Sequence, residues 1–353
     1  MIRNVAIIGA GIGAEHLAGY RELGDAFRVV AMCDLDKKRA AQATGGDPDI
    51  AIVSDLAAVL ADPAIDVVDV CLPPHLHLTA VQQALAADKH AICEKPLARS
   101  CAEVDAMAAA MAASKGRVFP VFQYRYGHAV AQLDALKAAG LTGKPLVAST
   151  ETHWCRAAEY YAVPWRGTWD GEAGGAILGH AIHAHDLISY VMGPVAEVTA
   201  FLDTRVNDIA VDDCAAIALR LQGGALATSS VTLGAADDTT RLRFCFAGLT
   251  AESGTAPYTP AQDVWTFTAR GDTPQSKVDE IVAGVTVPKS GFAGFLDAVA
   301  AALDGREDRA VSFADGQQSI ALVTALYTSA REGRPVKLPI TKGAKLYHGW
   351  QPD

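Results

Sequence analysis

The 353-residue sequence predicts an α/β fold over residues 1–122 and an α+β fold over residues 123–353. Three observations predict it. Short β-branched runs alternate with Ala-rich helical stretches through the first third of the chain, as in a parallel sheet covered on both faces. Longer runs with period-two alternation dominate the rest, as in a mostly antiparallel, open sheet. A glycine-rich turn joins the first strand directly to the first helix.

In the first part, Val5–Ile8 reads as a strand and Ala14–Leu23 as a helix stopped by Gly24. Arg28–Cys33 and Ile50–Val53 are the next strands, followed by a helix from Asp55 that Pro63 limits. Asp66–Leu72 is a fourth strand, His75–Ala87 a helix and His90–Cys93 a fifth strand. Ser100 and Glu103 have the spacing of a capping box, opening a helix that Gly116 ends. Val118–Phe122 closes the series. In the second part, a helix over Ala129–Ala139 precedes strands at Leu146–Thr152, Ala196–Leu202 and Ala216–Leu221. Gly223-Gly224 marks a hairpin into Ala225–Leu233. Arg241–Phe246 and Val264–Thr268 continue the sheet, and Glu252–Ala261, with two prolines, reads as a surface loop. Helices at Gly291–Leu303 and Ala314–Arg331 lead to a last strand, Val336–Ile340.

Half the residues are apolar and 20% are charged, the composition of a packed globular protein. A net charge of -10 argues against a nucleic-acid surface and against attraction to anionic membranes. Seven scattered cysteines without a CxxC pair imply buried thiols in a reducing compartment, not a disulfide framework or a zinc ribbon. A strand that begins by Arg3 leaves no room for a signal peptide, and no apolar run is long enough to span a bilayer. The expected location is the cytoplasm.

Gly9-Ala10-Gly11-Ile12-Gly13-Ala14 is a G-x-G-x-x-A turn between strand and helix, the fingerprint of a dinucleotide-binding Rossmann domain. Gly9 permits the tight turn, Gly11 lets the backbone approach a pyrophosphate, and Ile12 and Gly13 begin the helix whose N-terminal dipole faces the phosphates. Asp34 ends the second strand, where an acid can accept hydrogen bonds from ribose hydroxyls. That carboxylate would repel a 2′-phosphate and the next residue is Leu35, so NAD is favoured over NADP. Lys37, Lys38 and Arg39 keep the NADP alternative open, but are read in preference as a solvated helix start.

Cys93-Glu94-Lys95-Pro96, just after the fifth strand, resembles the Gfo/Idh/MocA oxidoreductases, which include glucose-fructose oxidoreductase and inositol dehydrogenases. The likeness extends through Leu72-Pro73-Pro74-His75-Leu76-His77, Gln123-Tyr124-Arg125-Tyr126, Trp165-Arg166-Gly167, Ala173-Gly174-Gly175 and the stretch from Gly179 to Asp186. It reaches Ala325–Ala330 and Tyr347-His348-Gly349-Trp350, and so covers nearly the whole chain. The resemblance implies a nicotinamide cofactor lined by Leu72, Pro73, His77, Glu94, Lys95 and Gln123 in addition to the glycine turn. It also implies that Lys95 polarises the reacting oxygen, commonly from a cis Lys-Pro bond. In such proteins a helix carries Asp-x-x-x-His. His183 matches the histidine and is expected to take the hydroxyl proton, but Gly179 stands where the family has aspartate. His180, one helical turn from His183, is the candidate to replace it, and Asp186 is placed to orient or pair with the His183 ring.

Trp154, Arg156, Tyr160, Tyr161, Trp165, Arg166 and Trp169 concentrate rings and guanidinium groups in a chain with only 7% aromatic residues. Flat rings pack on the apolar faces of sugars, and guanidinium groups bind hydroxyls or carboxylates. The substrate set is therefore Lys95, Arg125, Trp154, Arg156, Tyr161, Trp165, Arg166 and His183. The expected activity is NAD-dependent oxidation of a secondary hydroxyl on a sugar, cyclitol or related polyol. Two rivals stand beside it: a cofactor-binding regulator without turnover, and a metal-dependent hydrolase or lyase using His180, His183 and His185. The latter is disfavoured because His185 lies off the face shared by the other two, and no metal is assigned. The open sheet needs its free face covered, as relatives do by pairing subunits, which implies a homodimer or homotetramer.

Overall fold

In a computed structural model, which describes residues 2–306 and 309–352, the chain forms two compact units. Met1–Phe122 with Phe292–Ile320 make the first, and Gln123–Gly291 with Ala321–Asp353 the second.

The first unit is built from β1 (Arg3–Ile8), α1 (Gly13–Arg21), β2 (Phe27–Cys33), α2 (Lys37–Thr44), β3 (Ala51–Val53) and α3 (Leu56–Ala61). It continues with β4 (Val67–Val70), α4 (His77–Ala86), β5 (His90–Cys93), α5 (Cys101–Ala112) and β6 (Val118–Pro120). All strands pair in parallel in the order β3-β2-β1-β4-β5-β6. This is the dinucleotide-binding order, whose direction reverses between β1 and β4. Both sheet faces are covered, so Val67, Val68 and Val70 are wholly buried and the strands are largely apolar, the buried Asp69 interrupting β4. The helix starts are chemically defined. Asp36 accepts from the amides of Lys38 and Arg39, Asp55 from Ala57 and Ser100 from Glu103. Glu103 reaches back to the Arg99 amide rather than to Ser100, closing the capping box one residue earlier.

The second unit contains α6 (His128–Ala138), β7 (Pro145–Cys155), α7 (Trp169–Glu172), α8 (Ala176–Gly179) and α9 (Ile182–Met192). Then come β8 (Val195–Asp203), β9 (Cys214–Leu221), β10 (Leu226–Thr232), β11 (Gly234–Phe246), β12 (Leu249–Glu252), β13 (Thr266–Ala269) and α10 (Gln275–Gly284). The chain returns to the first unit for α11 (Gly291–Leu303) and the start of α12 (Phe313–Glu332), and in the second unit β14 (Val336–Lys337) pairs with β8. The eight strands run β13-β12-β11-β7-β10-β9-β8-β14, antiparallel except where β10 lies parallel to β7. Gln222-Gly223-Gly224 closes the β9–β10 hairpin, with Gly224 at φ +85°.

Period-two alternation sorts this sheet into two faces. One carries Ile217, Leu219, Ala227, Val231, Ala148, Leu242 and Phe244, all buried. The other is exposed and carries Phe201, Leu226 and Val147 among cross-strand ion pairs. These pairs are Glu151–Arg241, Arg243–Glu252 and Glu197–Arg220.

Several expectations need correction. The segment read as a surface loop begins inside β12, and its far end is packed: Pro260 and Ala261 are buried, and the Pro257 carbonyl accepts from Tyr124 and Thr240. Helix α10 escapes the pattern reading because only Val278 on it is buried, leaving no apolar stripe. Four cysteines of the first unit are buried, but Cys155 is exposed at the end of β7. No described helix is long and apolar enough to cross a membrane.

Candidate active site

In the first unit the glycine turn leaves the carboxyl end of β1, beside the switch point of the sheet. Gly9 adopts φ +103°, and a methyl group there would lie 2.3 Å from the Cys71 carbonyl oxygen, so only glycine makes this turn. At Gly13 a Cβ would meet the Ile7 side chain at 2.7 Å, which lets α1 sit close on β1. Around Gly11, by contrast, a Cβ would meet nothing within 4 Å. The backbone is thus open where a pyrophosphate would approach the first turn of α1, whose leading amides have no acceptor within the helix.

Asp34 follows β2 and is buried, accepting from the amides of Ala10 (2.8 Å) and Asp36 (2.8 Å). Arg39 is not simply part of a solvated helix start: its guanidinium grips Asp34 through Nε at 3.2 Å and Nη2 at 2.8 Å. Burial alone would raise the Asp34 pKa, but the Arg39 hydrogen bond and the two amides outweigh it and hold the carboxyl below its usual range. A carboxylate that stays ionised at the end of β2 suits a ribose diol and opposes a 2′-phosphate. Glycine turn, open Gly11 and acid together fit an NAD-type dinucleotide.

Lys95 follows the end of β5 on the same sheet edge, and its bond to Pro96 is cis. Glu94 is buried: Oε2 accepts from the Lys95 amide at 3.0 Å, and Oε1 lies 3.0 Å from His16 Nε2. Leu72 and Pro73 lie on the loop after β4. His77 does not present its ring outward, as a cofactor ligand would. It is fully buried, with Nδ1 2.8 Å from the Pro96 carbonyl and Nε2 2.7 Å from the Leu72 carbonyl. Burial lowers its pKa against the two carbonyl contacts, which act to raise it, and the ring lies between the loop after β4 and the loop after β5.

In the second unit, Gln123, Tyr124 and Arg125 form one turn of 3-10 helix. Arg125 is not open to a ligand along the edge assigned to substrate. Its Nε and Nη2 bind the two Asp186 oxygens at 2.7 and 2.6 Å, and both residues are buried. Asp186 is thus held through both oxygens by Arg125, a partner that helical spacing does not reveal. His180 and His183 do not share one continuous helix: α8 stops at Gly179, His180 has φ -122° and α9 begins at Ile182. The break separates their neighbours. His183 stacks on Tyr124 with ring centroids 4.3 Å apart, whereas His180 meets the edge of Trp154 at 5.4 Å. His185 faces a third way, with Nε2 3.0 Å from Ser229 Oγ, and burial lowers its pKa to about 4. Rings aimed at three different neighbours do not make a shared ligand set. A Cβ on Gly179 would meet nothing within 4 Å, so space remains where the family carries aspartate.

A residue that pattern reading misses anchors this segment. Asp212 is buried and accepts from the amides of Gly175 and Ile177 at 3.1 and 3.0 Å and from the Tyr327 hydroxyl at 2.5 Å. Its signal in the sequence is the Asp212-Asp213 pair interrupting an apolar run. The aromatic stretch clusters as expected. Trp154 is buried and donates to Thr240 at 3.1 Å. Arg156 lies over the Trp154, Tyr160 and Tyr258 rings and pairs with Asp238 at 2.9 Å, so its charge is already matched. Arg166 stacks on Tyr160 at 3.8 Å and on Trp165 at 4.9 Å, and makes no ion pair among the described residues. Tyr161 meets Tyr160 edge-on at 5.0 Å.

Comparison with known proteins follows the same division. Residues 3–122 match the family model described as an oxidoreductase family with NAD-binding Rossmann fold, and residues 130–251 match the GFO/IDH/MocA C-terminal domain. D-apiose dehydrogenase of Paraburkholderia graminis is 28% identical over 94% of this chain and 89% of its own length. Myo-inositol 2-dehydrogenase of Thermotoga maritima is 28% identical over 63% of this chain and 66% of its own. Among solved structures, the WlbA dehydrogenase of Bordetella pertussis, in complex with NADH and UDP-GlcNAcA, superposes with a TM-score of 0.83 at 27% identity. That match covers 97% of this chain and 100% of the other.

Proposed function

The chain belongs to the Gfo/Idh/MocA oxidoreductase family, and from that premise we propose that it oxidises a secondary hydroxyl of a sugar, cyclitol or related polyol. The observation that carries this is the first unit's sheet edge: the glycine turn, the ionised Asp34 and Lys95 all lie at the carboxyl ends of parallel strands. Gly9, Gly11, Ile12, Gly13 and Asp34 hold the dinucleotide. Leu72, Pro73, Glu94 and Gln123 complete its surroundings, and His77 acts by pinning two of the loops. A nicotinamide held by these residues would supply the acceptor for the hydride leaving the substrate carbon.

Lys95 donates a hydrogen bond to the substrate oxygen and stabilises the negative charge that develops there. His183 removes the hydroxyl proton, its plane fixed by the Tyr124 ring. His180, held against Trp154, assists recognition rather than sharing the proton. Tyr161, Trp165 and Arg166 supply stacking surface and a guanidinium for hydroxyl or carboxylate groups, while Trp154 and Arg156 frame that surface. We place the enzyme in the cytoplasm, supported by seven unbridged cysteines. We also propose that two copies, or four, cover the exposed sheet face.

The test is a spectrophotometric screen of NAD and NADP against sugars, inositols and aldonates. NADH formation with at least one of these polyols, preferring NAD, is the expected result. Tight NADH binding with no turnover on any of them would replace this reading with a cofactor-binding regulator.

A further inference from the structure

Inside the first unit, one imidazole links groups far apart in the sequence. His16 lies on the sheet-facing side of α1 and is completely buried. Its Nδ1 is 2.8 Å from Asp69 Oδ2 on β4, and its Nε2 is 3.0 Å from Glu94 Oε1 after β5. The Phe292 ring covers it at 4.3 Å, and Cys71 Sγ is 3.5 Å from Nδ1. The other oxygen of Glu94 holds the Lys95 amide.

A carboxylate only accepts hydrogen bonds, so a ring that meets one at each nitrogen must donate from both. That ring is an imidazolium. Burial works against this charge, but the attraction of Asp69 and the hydrogen bonds outweigh it and push the His16 titration well above its ordinary value. The other titratable groups around the ring, Tyr20 on its own helix and Cys71 and Cys93 at the strand ends, are pushed up by burial and stay neutral. The acidic side chains that meet the His16 ring are thus Asp69 and Glu94. These same contacts leave the His16, Asp69 and Cys71 grouping, whose ligand atoms lie within 4.8 Å of one another, bonded internally rather than open to an ion.

We propose that His16 is a positioning residue for Lys95: it fixes Glu94 from the helix side, and Glu94 in turn fixes the backbone from which the ammonium projects. Both oxygens of Glu94 are used in this chain of contacts, one by each neighbour. The inference rests on the assignment of Lys95 as the oxygen-polarising group, and the experiment separates the two.

Asparagine places its amide nitrogen near the position of Nδ1, and glutamine near that of Nε2. In the full-length enzyme, His16→Asn therefore keeps the Asp69 contact and loses that to Glu94, while His16→Gln does the reverse. His16→Asn is expected to lower kcat about tenfold to a hundredfold, the scale of one lost charge-assisted hydrogen bond, with NADH affinity changed less than about twofold. His16→Gln should return kcat to within about fivefold of wild type. Equal kcat in the two variants would overturn the proposal, because a purely space-filling histidine would not distinguish them. Unaltered turnover in Lys95→Ala would instead remove the assignment on which it rests.

A readout free of turnover accompanies these. Nitrogen NMR of histidine-labelled, cofactor-free enzyme, with His16 assigned from the His16→Gln spectrum, should show both ring nitrogens protonated at about pH 8. Glu94→Gln should lower the pH at which that signal is lost. A singly protonated His16 ring in wild type at that pH would overturn the proposal whatever the turnover of the variants.

Discussion

At the scale of single residues, Gly9 and Gly11 belong to one motif yet are constrained by different things. Gly9→Ala forces a methyl group against the Cys71 carbonyl at a positive φ, and should lower stability by about 1–3 kcal/mol in urea unfolding. Gly11→Ala meets open space, so stability should move by less than about 0.5 kcal/mol while NADH affinity falls about tenfold or more by fluorescence titration. Undiminished NADH binding in Gly11→Ala would mean that the pyrophosphate lies elsewhere. His185 offers a pH test. Its pKa is lowered by burial from 6.5 to about 4, so the unfolded chain binds the proton more readily than the folded one. The stability due to its neutral form is complete above about pH 6.5, is lost as pH falls toward 4, and amounts to about 3 kcal/mol across that window. His185→Gln should flatten this part of the unfolding curve relative to wild type; an unchanged slope contradicts the burial argument. The glycine turn and Asp34 are legible in the sequence because turn chemistry is local. His16 is not, since its partners lie 53 and 78 residues away and periodicity reports only on neighbours along the chain.

At the scale of elements, the stretch carrying three histidines reads as one helix but folds as two. Asp212 holds the start of α8 through the Gly175 and Ile177 amides, and the helix stops at Gly179, before His180. A pattern of apolar spacing contains no information about a carboxylate more than thirty residues downstream. Similarly, helical spacing matches Asp186 to His183 but says nothing of the buried Arg125, which provides two hydrogen bonds and a full opposite charge. Asp186→Ala leaves that guanidinium buried and uncompensated, and should cost about 3–5 kcal/mol of stability in denaturant unfolding. The double variant with Arg125→Met should recover part of this loss; a loss equal to the sum of the single changes would show the pair to be uncoupled. Strand positions are read more faithfully, because alternation on β9 and β10 directly records which face is buried.

At the scale of the whole molecule, the two fold classes are legible because each sheet type imposes its own pattern over many residues. The exposed face of the second sheet places Phe201, Leu226 and Val147 among three cross-strand ion pairs. Light scattering should give the mass of two or four chains, and Phe201→Asp should shift it toward one; a monomeric wild type contradicts the proposed pairing. The proposed reaction uses Lys95 and His183 together, and removing each side chain in turn probes it. With a polyol substrate at saturation, NADH formation is measured for wild type, Lys95→Ala and His183→Ala, and NADH binding is measured alongside. Turnover should fall about a hundredfold or more in each variant while cofactor affinity stays within about threefold. Undiminished turnover in Lys95→Ala would mean that another group polarises the substrate oxygen.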